Sequence, residues 1–327
     1  MNNTSSSAAA NSSAYEDQFT ALETVFYLGN GALGAVFNFL VLFIAFRYVD
    51  MEDKPRQIIV VNMTMADFLF CVVYVLTRPF LTAFPRLSCK FYYVTIWTIQ
   101  LCSCFNLLWL NLDKLIFIQF PLHYYQLVNR KRMLVLSAIT WISLISGSVL
   151  LATKFMGIGE TCIHTQMEPS SYLPICIVYV ILILASFACS AFIYVIAHTT
   201  TRMESVARTQ MLRRLLFLFS STLWTFFTCL PYRVLYLIVM IAPDLVRESN
   251  VYRVFTNGFF KVLVVGIVFN PIITIVTQYI YRNRVLALCG MQKRRNNGEM
   301  DTVISQAPRK QSTKILLEGI PLTSKMN

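Results

Sequence analysis

The chain has 327 residues, of which 56% are hydrophobic and 13% are charged, and its mean hydropathy is +0.59. Soluble domains carry about 25% charged residues, so this composition excludes an ordinary soluble protein and indicates an integral membrane protein. The formal net charge of +12 would suit a nucleic-acid binder. That class is excluded because the lysines and arginines concentrate between apolar stretches and in the C-terminal tail.

The N-terminal segment, residues 1–21, is rich in Asn, Ser and Ala and is expected to be an extracellular tail. It contains glycosylation sequons at Asn2, Asn3 and Asn11. No basic region precedes an apolar one here, so we expect no cleavable signal peptide and expect the first helix to act as the targeting signal.

Seven apolar segments follow, and each is long enough to cross as a helix a bilayer core about 30 Å thick, which takes about 20 residues. They are residues 24–46, 57–77, 91–112, 133–153, 169–201, 215–232 and 262–281. The connections are short and we find no repeat, so residues 22–281 are expected to form one compact bundle. The predicted fold class is an all-α membrane protein with seven transmembrane helices, followed by a cytoplasmic tail over residues 282–327.

Basic residues are distributed unequally between the two sides of the membrane. With the N-terminus outside, nineteen of the 28 lysines and arginines fall on the inner side, seven on the outer side, and Lys114 and Arg233 within spans. Positive charges favour the cytoplasmic side. We therefore expect a plasma-membrane protein with its N-terminus outside and its C-terminus in the cytoplasm.

Four polar residues lie at similar depths in different spans. Asp67 is in the middle of the second span, where an unpaired carboxylate is strongly destabilising. Asn38, Ser103 and Asn270 offer oxygen atoms beside it. These four residues are a candidate site for a small hard cation such as sodium, and we expect no other cofactor. The alternative is a neutral hydrogen-bonded network that fixes helix packing.

Two prolines and two cysteines bear on the shape of the bundle. Pro231 in the sixth span and Pro271 in the seventh each remove a backbone hydrogen bond, so their helices are expected to kink and to swing at their inner ends. Cys89 and Cys162 both lie on the oxidising outer side. A disulfide bond between them is expected to hold the loop before the fifth span over the bundle.

Short motifs occur in a fixed order along the spans. They are Asn38 with Val41, Asn62-Met63-Thr64-Met65-Ala66-Asp67, Asp113-Lys114-Leu115 with Pro121-Leu122-His123-Tyr124, Trp141, Phe227-Thr228-Cys229-Leu230-Pro231-Tyr232, and Asn270-Pro271-Ile272-Ile273-Thr274. Over roughly residues 28–289 they resemble the landmarks of the rhodopsin-like (class A) G-protein-coupled receptors. The resemblance implies a receptor that activates a heterotrimeric G protein and binds arrestin. It also implies a short amphipathic eighth helix with a palmitoylated cysteine, Cys289.

Several positions depart from the family pattern. Lys114 stands in place of the arginine that releases its aspartate partner on activation, and lysine lacks the five-donor fork of arginine. Cys229 replaces the toggle tryptophan, Thr274 replaces the tyrosine of the seventh-helix motif, and Met211 occupies the position of an acidic lock residue. The resemblance assigns the coupling switch to Asp113, Lys114, Tyr194, Cys229, Pro231, Asn270, Pro271 and Thr274. The departures leave open an alternative, an uncoupled decoy or scavenging receptor.

Three cations lie in the outer parts of the spans, where the family places its ligand: Arg78, Arg233 and Lys261. A buried arginine is costly unless an anion pairs with it, so we expect a small molecule or peptide that bears an acidic group. Ile96 stands where amine receptors carry an aspartate, and Val264 where opsins carry the retinal lysine. The surrounding side chains are Tyr74, Tyr92, Tyr93, Trp97, Gln100, Tyr232 and Tyr236. Alternatively, Arg78 and Lys261 extend to the membrane interface.

Basic clusters on the inner side are expected to contact anionic lipid head groups and the G protein. They are Arg208, Arg213, Arg214, Lys293, Arg294 and Arg295. A transporter or membrane enzyme is the remaining class. The sequence has no pair of broken helices in matching halves and no cluster of histidines or carboxylates, so we expect no enzymatic activity.

Overall fold

A computed structural model of the protein describes residues 19–52, 54–120, 123–155, 169–199, 205–242 and 250–290. Eight helices account for most of them: α1 Ala21–Tyr48, α2 Gln57–Leu69, α3 Arg86–Gln119, α4 Arg130–Phe155, α5 Pro169–Thr199, α6 Ser205–Ile241, α7 Asn250–Thr277 and α8 Tyr279–Leu288. Among the described residues, seven helices are long and apolar enough to cross a membrane. The predicted fold class, a seven-helix bundle with a short helix after it, is confirmed.

Most helices extend beyond the apolar segments from which they were predicted, whereas α2 ends at Leu69, before the predicted residue 77. The largest difference at a single helix end is at α7, which begins at Asn250, whereas the apolar segment begins after Lys261. That lysine lies inside the helix, and its ammonium group pairs with Glu23 of α1, 3.3 Å away. The predicted end at residue 281 was also too late, since α7 ends at Thr277 and a separate helix begins at Tyr279.

The spanning helices turn large apolar side chains outwards. Phe39 in α1, Ile142 in α4 and Phe227 in α6 are each at least 60% exposed. Water would not tolerate so much continuous apolar surface, whereas lipid tails do. The outward faces therefore indicate a membrane-embedded bundle.

We call the end of the bundle at which α1 begins the upper end and the opposite end the lower end. Around the bundle, α1 packs on α2 and α7, and α6 packs on α5 and α7. The long helix α3 packs against α2, α4 and α5. Residues from α2, α4 and α5 can therefore meet around α3.

The second span changes its hydrogen-bonding pattern near the upper end. A π-helical stretch, Phe70–Val75, follows α2, and the Leu76 N–H donates to the carbonyl of Cys71 at 3.0 Å. A 3₁₀ stretch, Arg78–Ala83, comes next. Such π-helical turns shift the direction of the side chains that follow and are frequent at functional sites. Here Tyr74 lies within the turn and Arg78 directly after it.

The described residues divide into two units, the first ending at Arg284 and the second beginning at Val285. In the second, the Cys289 N–H donates to the carbonyl of Val285 at 2.9 Å, and the Cys289 side chain is exposed. Gly290 has a φ of +69°, which ends the helix in the left-handed region that glycine tolerates.

Candidate functional site

Eight aromatic side chains form a closed circuit of ring contacts near the upper end of the bundle. Each ring touches the next, with centroid distances from 4.8 to 6.4 Å, in the order Tyr74, Tyr92, Tyr93, Trp97, Tyr172, Tyr236, Tyr232 and Phe260, which touches Tyr74 again. We call this set the aromatic circuit. It joins the π-helical turn after α2 to α3, α5, α6 and α7.

Arg233 is buried on the α6 side of the aromatic circuit, with 4% of its surface exposed. Its guanidinium donates to the Tyr172 hydroxyl at 2.9 Å and to Oε1 of Gln100 at 2.5 Å. It also lies over the Tyr179 ring, 3.9 Å from the centroid. Within the part of the chain that the structure describes, no carboxylate pairs with it. The site therefore holds a full positive charge with only neutral partners.

Arg78 lies on the other side of the aromatic circuit, among rings of α1, the π-helical turn and α7. Its guanidinium carbon is 4.5 Å from the Phe260 centroid and 5.3 Å from those of Tyr27 and Tyr74. Nη1 donates to the Tyr74 hydroxyl at 2.6 Å, whereas Nε is buried and has no hydrogen-bond partner among the described residues. This second cation also lacks an ion pair with any described carboxylate.

Lys261 differs from the two arginines. It pairs with Glu23 at 3.3 Å, and its side chain is 42% exposed. Ile96, predicted to stand in the pocket, is buried against the aromatic circuit, as is Val264. Of the three predicted cations, one therefore pairs with a carboxylate among the described residues and two do not.

An internal cavity lies between α2, α3, α5, α6 and α7. Its volume is about 50 Å³, enough for a few water molecules. Arg233, Gln100 and Tyr179 line it at one end, and Asp67 and Asn270 line it at the other. Cys229 and Ser103 lie on its wall. The cavity therefore connects the buried arginine to the polar centre of the bundle.

Asp67 forms that polar centre and is buried, with 3% of its surface exposed. Ser103 donates its hydroxyl to Oδ1 at 2.7 Å, and Asn270 donates its amide to Oδ2 at 2.6 Å. Ser221 of α6 in turn donates to Oδ1 of Asn270 at 3.3 Å. Three of the four predicted ion-site residues are therefore in contact, and together with Ser221 they link α2, α3, α6 and α7.

Asn38, the fourth predicted ion-site residue, makes no described hydrogen bond to Asp67. Its amide donates to the carbonyl of Gly34 at 2.9 Å and approaches the Cys71 sulfur at 3.9 Å. Its Oδ1 is buried without a partner among the described residues. An unpaired buried oxygen of this kind is suited to a cation or a water molecule.

At the lower end, Asp113 is buried and accepts a hydrogen bond from the Tyr124 hydroxyl at 2.8 Å. The Lys114 ammonium lies 5.1 Å from the Phe117 ring centroid. Tyr194 is half exposed and packs edge-on against Phe219. These predicted switch residues thus occupy one end of the bundle.

The lower end of α7 is held by neighbouring polar groups. Thr274 is buried, and its hydroxyl donates to the carbonyl of Asn270 at 3.4 Å. Tyr281 of α8 is fully buried, and its hydroxyl donates to Oε1 of Gln57 at 3.1 Å. Burial raises the pKa of the Tyr281 hydroxyl above its ordinary value, so it stays protonated and remains a donor.

Several residues predicted to be functional lie outside the described part of the chain. Cys89 is disulfide-bonded, but Cys162, its predicted partner, lies outside the described residues, as do Asn2, Asn3 and Asn11. The side chains of Arg208, Met211, Arg213 and Arg214 also lie outside them, so the pairing, the glycosylation and the lower basic cluster remain predictions.

Three site residues were missed from the sequence: Tyr172, Tyr179 and Phe260. For Tyr172 and Tyr179, the spacing of residues in the sequence could have predicted a shared buried helix face. Tyr172, Ile175, Cys176 and Tyr179 are all buried and follow the i, i+3, i+4, i+7 spacing of one helix face. Phe260 carries no such signal, because its position in the aromatic circuit depends on how α7 packs.

Comparison with known proteins agrees with this geometry. Residues 37–274 match the family model described as 7 transmembrane receptor (rhodopsin family). The chain belongs to the rhodopsin family of G-protein-coupled receptors, and it is a multi-pass membrane protein. It is 52% identical to the G-protein coupled receptor aex-2 of Caenorhabditis elegans over 286 aligned residues. The aligned region covers 88% of this chain and 89% of that protein.

Proposed function

We propose that the protein is a plasma-membrane receptor that binds an extracellular ligand with an acidic group and activates a heterotrimeric G protein. The upper end of the bundle faces the outside in this proposal, and the lower end faces the cytoplasm. The observation that carries it is the burial of Arg233 with only neutral partners.

A buried charge without a counter-ion destabilises a membrane protein. Tyr172, Tyr179 and Gln100 lessen this cost through hydrogen bonds and a cation–π contact, but none of them carries a negative charge. A carboxylate or phosphate on a ligand would supply the missing negative charge, and a guanidinium group can bind either one through two parallel hydrogen bonds. Arg233 also lies two residues after Pro231 inside α6, so an anion bound there acts directly on the expected kink.

Replacing Arg233 by Gln is expected to lower the potency of an acidic agonist by about tenfold to hundredfold, since a charged hydrogen bond contributes about 1.5–3 kcal/mol. The assay is second-messenger output in cells screened with carboxylates and phosphates, each beside its uncharged ester or amide. Lys261→Gln is the matched control, because that cation already has Glu23 as its partner. Equal potency on wild type and Arg233→Gln, at equal surface expression, would contradict the assignment.

Coupling is supported by the lower end. Lys114 keeps a cation beside Asp113, and Tyr124 holds that aspartate through its hydroxyl. Lys114→Ala is expected to remove cAMP or calcium output in cells, whereas Lys114→Arg is expected to retain or raise it, because arginine adds donors.

The decoy hypothesis differs in what it predicts for the wild-type receptor, which it expects to give no second-messenger output. A wild-type receptor that reaches the cell surface, stays silent in every pathway and gains output with Lys114→Arg would be an uncoupled receptor.

The remaining assignments belong to the same proposal. A sodium ion would be held by Asp67, Ser103 and Asn270, with Oδ1 of Asn38 as a further oxygen, and the donor set fits a small hard cation because it is all oxygen. Its chemistry would be to neutralise the buried carboxylate. Cys289, exposed after α8, is a palmitoylation site in this scheme. Arrestin and anionic lipids are further partners at the cytoplasmic face.

A further inference from the structure

Two arginines, and not one, lie beside the aromatic circuit without a described carboxylate. The guanidinium of Arg233 has neutral partners on α3 and α5. The guanidinium of Arg78 has one tyrosine hydroxyl and four aromatic faces, and its Nε has no described partner. Aromatic faces attract a cation but do not neutralise it. Each arginine therefore has the same unmet requirement for an anion.

The two guanidinium groups are within reach of one small molecule. From Arg78 to the Phe260 ring is 4.5 Å, from Phe260 to Tyr232 is 5.2 Å, and from Tyr232 to Arg233 is 5.5 Å. The two guanidinium carbons are therefore at most about 15 Å apart, each at cation–π distance from a ring of the same circuit. An extended chain with an acidic group at each end can span such a distance.

We propose that the ligand carries two anionic groups, one for Arg78 and one for Arg233, joined by an apolar or aromatic part that packs on the aromatic circuit. This inference rests on the proposed function, because that function gives Arg233 the first anion. Lys261 is excluded from the pair, since Glu23 already neutralises it. The number of acidic groups is thus two, set by the unpaired cations.

The experiment uses two series of probes on the purified full-length receptor. The first contains straight-chain dicarboxylic acids of increasing length with their monomethyl esters. The second contains short peptides with one acidic side chain and either a free or an amidated C-terminus. Affinity is measured from the ligand-dependent rise in melting temperature, which follows mass action. The two series distinguish a free diacid from a peptide as the source of the two charges.

We expect at least one doubly charged probe to bind wild type about tenfold to hundredfold more tightly than its singly charged derivative, the effect of one charge-assisted hydrogen bond. Arg78→Gln should remove that difference by weakening only the doubly charged probe. Lys261→Gln should leave both affinities unchanged. The length of the tightest diacid would then report the separation of the two sites.

Failure of this inference is distinct from failure of the proposed function. If doubly and singly charged probes bind equally, and only Arg233→Gln weakens them, the inference is overturned and the proposed function stands. If Arg233→Gln changes no affinity, the proposed function fails as well. Absence of binding by every doubly charged probe would also overturn the inference.

A competing anion is present in the chain itself. Glu16 and Asp17 precede Phe19 in the sequence and lie outside the described residues. If Arg78 serves a ligand, Arg78→Met should keep or raise the melting temperature of the ligand-free receptor, because it removes an unpaired charge. A different result would be a lower melting temperature for Arg78→Met, an equal loss for Asp17→Asn or Glu16→Gln alone, and no further loss when that variant is combined with Arg78→Met. This result would assign Arg78 to the N-terminal segment and overturn the inference.

Discussion

Gly266→Ala is expected to destabilise the helix bundle by about 1–3 kcal/mol, the usual cost of forcing an extra carbon into a packed core. A Cβ at this position would lie 2.5 Å from the hydroxyl oxygen and 2.6 Å from the Cβ of Thr228. The same close approach lets Trp224 of α6 donate its indole N–H to the Gly266 carbonyl at 2.7 Å. The substitution should therefore separate α6 from α7, and the fall in melting temperature measures it.

The matched control lies two turns away in the same helix. Gly258 has no atom within 4 Å of the position of an added Cβ, so Gly258→Ala should be neutral or stabilise the helix by up to about 1 kcal/mol. Combining Gly266→Ala with Thr228→Gly adds a methyl group on α7 and removes the facing side chain from α6. The double variant should therefore regain part of the lost stability. Equal melting temperatures for Gly266→Ala and Gly258→Ala would show that α6 and α7 do not approach closely here.

The contact between Asp67 and Asn270 predicts a large effect of exchanging the two residues. Asn270→Asp alone places two carboxylates together and should cost about 3–5 kcal/mol, as an uncompensated buried charge does. Asp67→Asn alone leaves one acceptor for two donors: either its N–H faces the N–H of Asn270, or the Ser103 hydroxyl must turn from donor to acceptor. We expect this loss of an acceptor to cost about 1–3 kcal/mol. Both single variants should lose stability and second-messenger output.

The double variant, Asp67→Asn with Asn270→Asp, restores every pairing. The amide at position 67 can donate to the carboxylate at position 270, accept from Ser103, and leave the acceptor for Ser221 in place. We expect a positive coupling energy between the two substitutions, measured by a double-mutant cycle on melting temperature. Additive losses would mean that the residues do not bond directly. Ser148→Ala is the control, since that buried polar residue lies in α4, away from the network.

The polar residues at membrane depth were predictable because their cost is a local property. Asp67, Asn270 and Arg233 each stand out in a span that contains few other polar groups, and all three are buried. Their partners were predictable only in part. Ser103 was expected beside Asp67, whereas Tyr172, which binds Arg233 from 61 positions away, was not.

The three outer cations were likewise predictable from the sequence, whereas their partners were not. The sequence placed Arg78, Arg233 and Lys261 together as candidates to bind an acidic ligand, and they are alike in charge and depth. The structure separates them through Glu23, which pairs with Lys261 across 238 positions of the chain. Its position at the start of α1 excluded it from the apolar span, and only the packing of α1 on α7 brings it to the lysine.

The sequence by itself determined the number of helices and their approximate positions. The reason is that the thickness of the bilayer sets the length of each apolar segment, which is a property of consecutive residues. The tertiary structure decided which side chains meet, because that depends on the rotation and packing of each helix. The π-helical turn that precedes Arg78, the closing of the aromatic circuit by Phe260 and the cavity between Arg233 and Asp67 all follow from that packing.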